Sequence, residues 1–140
     1  MSDANTERRR LRGARAHKAG KRAELVAALW LMAKGYRILA LRLRSPLGEI
    51  DILAQRGRAL AAVEVKTRPT LDDCLAAVEP EQRMRLRRAL AQFAARRRRA
   101  SELTLRLDLI ALAPGRLPRH IPDAWAQDPQ DAVRSNWRTQ

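Results

Sequence analysis

Residues 48 to 67 decide the fold, and their sequence is GEIDILAQRGRALAAVEVKT. Two runs within this stretch, Glu49 to Ala54 and Ala59 to Thr67, have the length and the β-branched residues of typical strands. Gly57 and Arg58 lie between them and suit a two-residue hairpin turn, which favours glycine at its first central position. The stretch therefore predicts two antiparallel strands joined by a tight turn.

The turn sets which side chains of the two strands face each other. A two-residue turn places Asp51 opposite Glu64 and Glu49 opposite Lys66, whereas a bulge would shift the register by one residue. Opposed side chains on one face lie roughly 5 Å apart at Cβ, and two carboxylates at that separation repel each other. A divalent cation removes this repulsion, so the pattern indicates a metal site at Asp51 and Glu64. Lys66 would then orient a water molecule or neutralise a phosphate.

A purely structural interpretation of the same residues stays open. Glu49 and Lys66 would form an ordinary cross-strand ion pair, while Asp51 and Glu64 would face solvent. Glu24 on the predicted first helix, together with a basic surface, favours a metal site. Taken alone, Glu24 is better explained as a solvated helix position.

The rest of the chain predicts helices on both sides of these strands. The first helix is expected from Lys18 to about Gly35. Its predicted apolar stripe consists of Leu25, Ala28, Leu29 and Met32. The other expected elements are a strand at Tyr36 to Leu43, a short helix at Leu71 to Val78, a longer helix from Pro80 and a strand at Leu103 to Leu109. This order predicts an α/β fold with a mixed β-sheet flanked by helices.

Charge is the strongest feature of the composition. The chain has 29 basic and 15 acidic residues, for a net charge of +14, and only four of the basic residues are lysine. Arginine binds phosphate in a bidentate manner, so nucleic acid is the first expected partner and an anionic membrane the second. Genome-wide compositional bias is an alternative cause of part of the arginine excess. Residues 1–17 are expected to be a flexible basic arm, residues 18–126 a folded domain and residues 127–140 a C-terminal tail.

Three further observations favour a cytoplasmic location. The chain contains no apolar run near the roughly 20 residues of a membrane span, and its N-terminus lacks the apolar stretch of a signal peptide. Cys74 is the only cysteine, so an internal disulfide is excluded, and this residue is expected to be a small apolar filler.

Several motifs resemble those of the uncharacterised bacterial YraN-like family. They span about residues 18 to 126 and comprise Gly20 to Glu24, Gly35 to Leu39, Gly48 to Ala54, Val63 to Arg68 and Arg106 to Asp108. That family is similar to the restriction-endonuclease-like nucleases, especially archaeal Holliday-junction resolvases. The resemblance implies a restriction-endonuclease-like core and a nuclease-like domain, with homodimerisation as a candidate assembly. It also implies metal binding by Asp51 and Glu64, an active-site role for Lys66 and a supporting acid at Glu24.

The chain departs from this family pattern at two positions. Gln82 aligns where the family usually has lysine, and a nearby Arg83 or Arg85 is not an identical replacement. Arg42 stands where the family often has asparagine. Both departures concern the handling of substrate rather than the expected metal ligands.

These features predict a Mg²⁺- or Mn²⁺-dependent endonuclease-like protein that hydrolyses phosphodiester bonds in branched or flapped DNA, with no membrane partner. The first alternative is a non-catalytic nucleic-acid-binding or adaptor protein that keeps the same fold. A second alternative is a structural partner of a ribonucleoprotein or of a membrane surface. The residues expected to contact nucleic acid are all arginines, namely Arg44, Arg68, Arg83, Arg87, Arg96, Arg97, Arg98 and Arg99.

Overall fold

A five-stranded mixed sheet forms the centre of the molecule. The computed structural model describes residues 2 to 132. In chain order the helices and strands are α1 (Ser2–Ala33), β1 (Arg37–Ser45), β2 (Gly48–Arg56), β3 (Ala59–Thr67), α2 (Leu71–Ala76), α3 (Pro80–Ala95), β4 (Thr104–Leu112), β5 (Arg119–Ile121) and α4 (Pro129–Ala132). The strands lie in sequence order, β3 and β4 are parallel, and the other neighbouring pairs are antiparallel. The predicted α/β class is confirmed, and the architecture is consistent with a restriction-endonuclease-like core.

The β2–β3 hairpin has the predicted register. Arg56 pairs with Ala59 at the turn, and the ladder continues to the pair of Ile52 and Val63. Gly57 has φ 58°, a left-handed conformation that glycine adopts without steric penalty. No bulge interrupts this part of the hairpin, so Asp51 and Glu64 are the next opposed residues along the two strands.

Apolar side chains cover both faces of the sheet. On one face, Leu31 of α1 packs in a cluster with Ile52 and Val63. On the other face, Leu90 of α3 belongs to a larger cluster that includes Leu60. All five side chains are fully buried, and each such burial stabilises the fold by roughly 1.5–3 kcal/mol. The hairpin that carries the acids is therefore held between two helical layers.

The orientation of α1 differs from the prediction. Of the four residues in the predicted stripe only Ala28 is buried, while Leu25, Leu29 and Met32 are more than half exposed. The helix instead buries Ala27, Ala28 and Leu31 against the sheet. The prediction was wrong because the spacing of the largest apolar residues was taken to mark the buried face.

The first helix is also longer than predicted. It begins at Ser2 rather than at Lys18, so the segment expected to be a basic arm continues the helix, with exposed side chains from residue 3 to residue 19. Arginine and alanine, which dominate this segment, are good helix formers. The flexibility of the arm stays a prediction. Between Ser2 and Ala132, no helix has the length and apolar character required to cross a bilayer.

The region after Pro114 is also structured. It forms β5 and α4, and Trp125 is buried with its indole Nε1–H donating to the carbonyl of Leu75 at 3.2 Å. Trp125 thus anchors this region in the hydrophobic core. In the predicted tail, residues 133–140, which include Trp137, lie outside the described residues.

Candidate active site

Asp51 and Glu64 meet where the β2–β3 ladder ends. The Asp51 carboxylate accepts a hydrogen bond from the backbone N–H of Val65 at 3.0 Å. At this point the side chain of Asp51 takes the place of a backbone carbonyl of β2 as the acceptor. Glu64 is 2% exposed, and its buried Oε1 has no hydrogen-bond partner within the described residues. A buried carboxylate oxygen without a partner costs free energy unless a cation or a proton satisfies it.

The two acids perturb each other. Burial, and then the charge of Asp51, raise the pKa of Glu64 to about 8. Burial also raises the pKa of Asp51, although the Val65 N–H and the positive charge of Lys66 oppose the rise. Glu64 in the metal-free protein therefore holds a proton near neutral pH, and a divalent cation would compete for the same oxygens.

Lys66 and Glu24 lie within electrostatic range of this pair. Lys66, two residues after Glu64 on β3, stabilises the charged forms of both acids, whereas Glu24 on α1 raises the pKa of Asp51. The structure thus brings together all four residues that the sequence predicts for the site.

Arg42 is a fifth member of this group. Its Nε donates to Glu24 Oε2 at 2.5 Å, and its position on β1 falls opposite Asp51. The Arg42 backbone has φ 51°, a left-handed conformation that asparagine adopts more readily than arginine. This geometry explains why asparagine suits the position in the YraN-like pattern. The sequence marked Arg42 only as a departure, because φ and the contact with Glu24 depend on the fold.

Two neighbours complete the surroundings of the acids. Gln82 on α3 donates from Nε2 to Glu64 Oε2 at a long 3.4 Å, so a lysine at this position would place a cation beside Glu64. Glu49 pairs with Arg44 at 3.4 Å. The alternative in which Glu49 pairs with Lys66 and the two acids face solvent is not supported, because Glu64 is buried.

The donor set fits a hard divalent cation. Asp51 and Glu64 supply carboxylate oxygens, which Mg²⁺ prefers, and one or two protein carboxylates are a usual complement for this ion. Within residues 2 to 132, no group of three or more histidine, cysteine or acidic side chains has the arrangement of a metal site. Two protein carboxylates would leave the remaining ligand positions of such an ion to water and phosphate.

The arginines expected to contact nucleic acid fall into two groups. Arg44, Arg68, Arg96, Arg98 and Arg99 are exposed, and Arg97 is partly covered as it stacks on Phe93 at 5.5 Å. Arg83 and Arg87 are instead buried, and both form ion pairs with Asp131, at 3.0 and 3.1 Å. The prediction that they belong to an exposed basic surface is therefore wrong for Arg83 and Arg87. Their partners lie more than forty residues away along the chain, so no local pattern could reveal the pairs.

A second buried polar cluster was not predicted. Asp108 on β4 is fully buried and accepts hydrogen bonds from Arg106, from His120 Nε2 at 2.8 Å and from the N–H of Asp123. Burial alone would raise the pKa of Asp108, but these donors lower it below its ordinary value. Arg106 also donates to the hydroxyl of Tyr36 at 2.6 Å. The Arg106-to-Asp108 motif thus joins β4 to β5 and to the turn between α1 and β1.

Comparison with known proteins places the chain in a family. The model of the uncharacterised protein family UPF0102 matches residues 23–112. The chain belongs to the UPF0102 family. A UPF0102 protein of Caulobacter vibrioides is 65% identical over 84% of this chain and 94% of its own length. A UPF0102 protein of Rhizobium meliloti is 47% identical over 85% of this chain and 98% of its own length. The resemblance to the YraN-like family is confirmed.

Proposed function

We propose that this UPF0102 protein is a metal-dependent endonuclease that hydrolyses phosphodiester bonds in branched or flapped DNA. One observation carries the proposal, namely the buried Glu64 carboxylate, which lies beside Asp51 and Lys66 with one oxygen lacking a partner. A structural ion pair would satisfy both oxygens. An arrangement that leaves one oxygen available is useful for holding a cation.

Each residue of the site has a separate task in hydrolysis. Asp51 and Glu64 would hold Mg²⁺ or Mn²⁺, which supplies Lewis-acid stabilisation of the charge that develops on the phosphate. Lys66 would orient the attacking water and neutralise a phosphate oxygen as the water oxygen bonds to phosphorus and the bond to the leaving oxygen breaks. Glu24 would support the site by holding Arg42 in an ion pair, which keeps the guanidinium from pairing with Asp51.

The proposed substrate class follows from charge and shape. Exposed arginines such as Arg44, Arg96 and Arg98 suit contacts with phosphates, which position a duplex without specifying its base sequence. Recognition by shape is therefore favoured over recognition of bases. The affinity for DNA would accordingly decrease steeply as salt increases.

A non-catalytic DNA-binding or adaptor protein is the second candidate, and two observations favour it. Gln82 supplies no positive charge beside Glu64, and Arg42 already neutralises Glu24. Both features would weaken the electrostatic stabilisation that the site gives to a reacting phosphate. They leave Asp51, Glu64 and Lys66 in place, so hydrolysis stays the first proposal.

A nuclease assay on a panel of substrates separates the two candidates. Purified protein is incubated with branched, flapped, single-stranded and linear DNA in Mg²⁺, Mn²⁺ or EDTA. Hydrolysis predicts metal-dependent products from a branched or flapped substrate. Binding to these substrates without product in either metal would support the non-catalytic candidate.

A further inference from the structure

A small pocket lies between the β1–β2 turn and the second half of α3, and none of the candidate catalytic residues lines it. Its volume is about 180 Å³. A cavity of roughly 150 Å³ is large enough to hold one benzene ring, whereas pockets for whole drug-sized ligands measure roughly 300–1,000 Å³. The pocket therefore has room for one planar ring but not for an extended molecule.

The lining of the pocket combines apolar surface with positive charge. Ile50 and Phe93 supply apolar surface, and Phe93 also supplies an aromatic ring. Arg44 and Arg96 line the pocket as well, and both are exposed. Arg44 pairs with Glu49 at 3.4 Å, whereas Arg96 forms no ion pair within the described part of the chain. An aromatic ring beside cations suits a nucleotide, because its base is planar and its phosphate is negative.

The aromatic ring of the pocket is held in place before any ligand binds. The Cζ atom of Arg97 lies 5.5 Å from the centroid of the Phe93 ring, and Arg97 also donates to Oε1 of Gln55 at 3.4 Å. Phe93 packs in addition against the buried cluster that contains Leu90. A ring that is already fixed loses little conformational freedom when a base contacts it, so the cost of binding is low.

The pocket lies on the same side of α3 as the candidate active site. Gln82 of α3 donates to Glu64 at 3.4 Å. Ala89 and Phe93, which line the pocket, follow Gln82 by seven and eleven residues, and this spacing brings all three to one side of an α-helix. Gln82 and Phe93 are about 17 Å apart along the helix axis, which corresponds to about five stacked nucleotides of one strand.

The β-sheet places the pocket and Glu64 on one face as well. Ile50 lines the pocket and belongs to the core cluster on the α3 face of the sheet, together with Ala62. Ala62 and Glu64 are two residues apart on β3, so their side chains point to the same face. A single strand of DNA that runs along α3 from Glu64 would therefore reach the pocket.

We propose that the pocket binds one unpaired base of a DNA single strand, within about five nucleotides of the phosphate at the candidate active site. The base would contact Phe93, and Arg96 would pair with a neighbouring phosphate. This inference rests on the proposed function. It narrows the substrate to DNA with a single-stranded arm, such as a flap, because a fully paired junction offers no free base at this distance.

The first test is a scan with abasic nucleotides. The affinity of the full chain for a single-flap DNA is measured by fluorescence anisotropy in EDTA, with one abasic nucleotide at each of the first six flap positions in turn. We expect one position to weaken binding by about 5- to 30-fold, which is the usual range for loss of one base–aromatic contact, and the others by less than about twofold. Equal losses at all positions, or no loss at any, would overturn the proposal.

Two variants connect the sensitive position to the pocket. Phe93→Leu removes the aromatic ring but keeps an apolar side chain. Ile121→Val is the control for lost core packing, because Ile121 packs against the same cluster from β5, at the opposite edge of the sheet from β1. We expect Phe93→Leu to bind the natural flap more weakly and to show little further loss with the abasic flap, whereas Ile121→Val keeps the full abasic loss. An undiminished abasic loss in Phe93→Leu would overturn the proposal.

A photochemical test needs only the wild type, so it stays decisive if Phe93→Leu does not fold. Iododeoxyuridine is placed at the sensitive position of the flap, and the complex is irradiated and digested with trypsin. We expect a cross-link to the peptide of residues 89–96, which contains Phe93. Cross-links to other peptides alone would overturn the proposal.

The remaining outcomes separate the pocket from the proposed function. If wild type cuts the flap but tolerates an abasic nucleotide at every position, the pocket proposal fails and the proposed function survives. If an abasic nucleotide weakens binding at one position but no DNA is cut, the pocket proposal is supported and hydrolysis is contradicted. If wild type neither binds nor cuts flapped or branched DNA, both fail.

A competing occupant is an aromatic side chain of an acidic protein. An acidic copolymer of glutamate and tyrosine serves as the probe for this alternative. Binding of the copolymer that Phe93→Leu loses and Ile121→Val keeps, without an abasic loss at any flap position, would assign the pocket to a protein partner and overturn the proposal.

Discussion

The pKa of Glu64 makes the stability of the metal-free protein depend on pH. The unfolded carboxyl titrates near 4.5 and the folded one near 8, so the folded state binds the proton more tightly. When folding raises the pKa of a carboxyl, its contribution to stability is at its full value at pH values below the pKa of the unfolded state. This contribution is lost as the pH rises through the pKa of the folded state. The stability of the protein in EDTA should therefore decrease between about pH 5 and pH 8.

The size of this effect is set by the difference between the two pKa values. Across the whole interval it corresponds to on the order of 3–5 kcal/mol, or about 1.4 kcal/mol per pH unit where the slope is steepest. The raised pKa of Asp51 acts in the same direction. The lowered pKa of Asp108 has the opposite effect on stability, because this carboxyl stabilises the fold when it is charged. That stabilisation is lost only in acid, below the pH range in which Glu64 acts.

Urea unfolding at about pH 5.5 and about pH 7.5 in EDTA measures the effect. Glu64→Gln serves as the matched control, because it keeps the shape of the side chain and removes the titration. We expect wild type to lose about 2–3 kcal/mol between these pH values and the variant to lose much less, since the variant lacks only the Glu64 carboxyl. Millimolar Mn²⁺ should restore the wild-type stability at the higher pH. Equal pH dependence in the two proteins would refute the assignment of the raised pKa to Glu64.

Three further substitutions test the surroundings of the site and the fold. Gln82→Lys should lower the pKa of Glu64 from about 8 in a carbon-13 NMR titration, whereas Gln92→Lys on an exposed position of α3 should leave it unchanged. Arg42→Asn should strengthen Mn²⁺ binding several-fold in electron paramagnetic resonance titrations. The substitution removes a cation beside Asp51 and replaces an arginine that has a left-handed backbone conformation. Weaker binding would contradict the idea that the positive charge of Arg42 opposes the metal. Asp131→Asn should destabilise the protein by about 2–4 kcal/mol in urea, because two buried guanidinium groups lose their shared carboxylate. A change below about 0.5 kcal/mol would show that this ion-pair cluster contributes little.

The centre of the fold was predictable because its determinants are local. Alternation and a glycine at the turn set the β2–β3 register, which ends at the pair of Ile52 and Val63, and Asp51 and Glu64 are the next residues along the two strands. The observed β3, Ala59–Thr67, has the bounds that the sequence predicts. The juxtaposition of Asp51 and Glu64 thus follows from residues 48–67, whereas Glu24 and Arg42 are brought to the site by α1 and β1.

Features that depend on contacts between distant segments were not predictable. The face of α1 that carries Ala28 is buried by its packing on the sheet, whereas Leu25 and Leu29 are exposed despite their hydrophobicity. The burial of Arg83 depends on Asp128 and Asp131, which arrive from the end of the described chain. An arginine-rich helix has the same local sequence pattern whether its arginines face solvent or buried carboxylates.

Side-by-side cleavage and gel-shift assays on one flapped DNA, in Mg²⁺ and in Mn²⁺, test the central claim most directly. The proteins are wild type, Asp51→Asn, Glu64→Gln, Lys66→Ala and the control Glu49→Gln, whose exposed carboxylate lies on the same strand as Asp51. We predict that wild type and Glu49→Gln cut the flap. Asp51→Asn and Glu64→Gln should bind it equally well or more tightly without cutting, because each loses a negative charge near phosphate. Lys66→Ala should neither cut nor bind more tightly. Undiminished cutting by Asp51→Asn and Glu64→Gln, or binding by wild type without cutting in either metal, would contradict the claim that this site hydrolyses DNA.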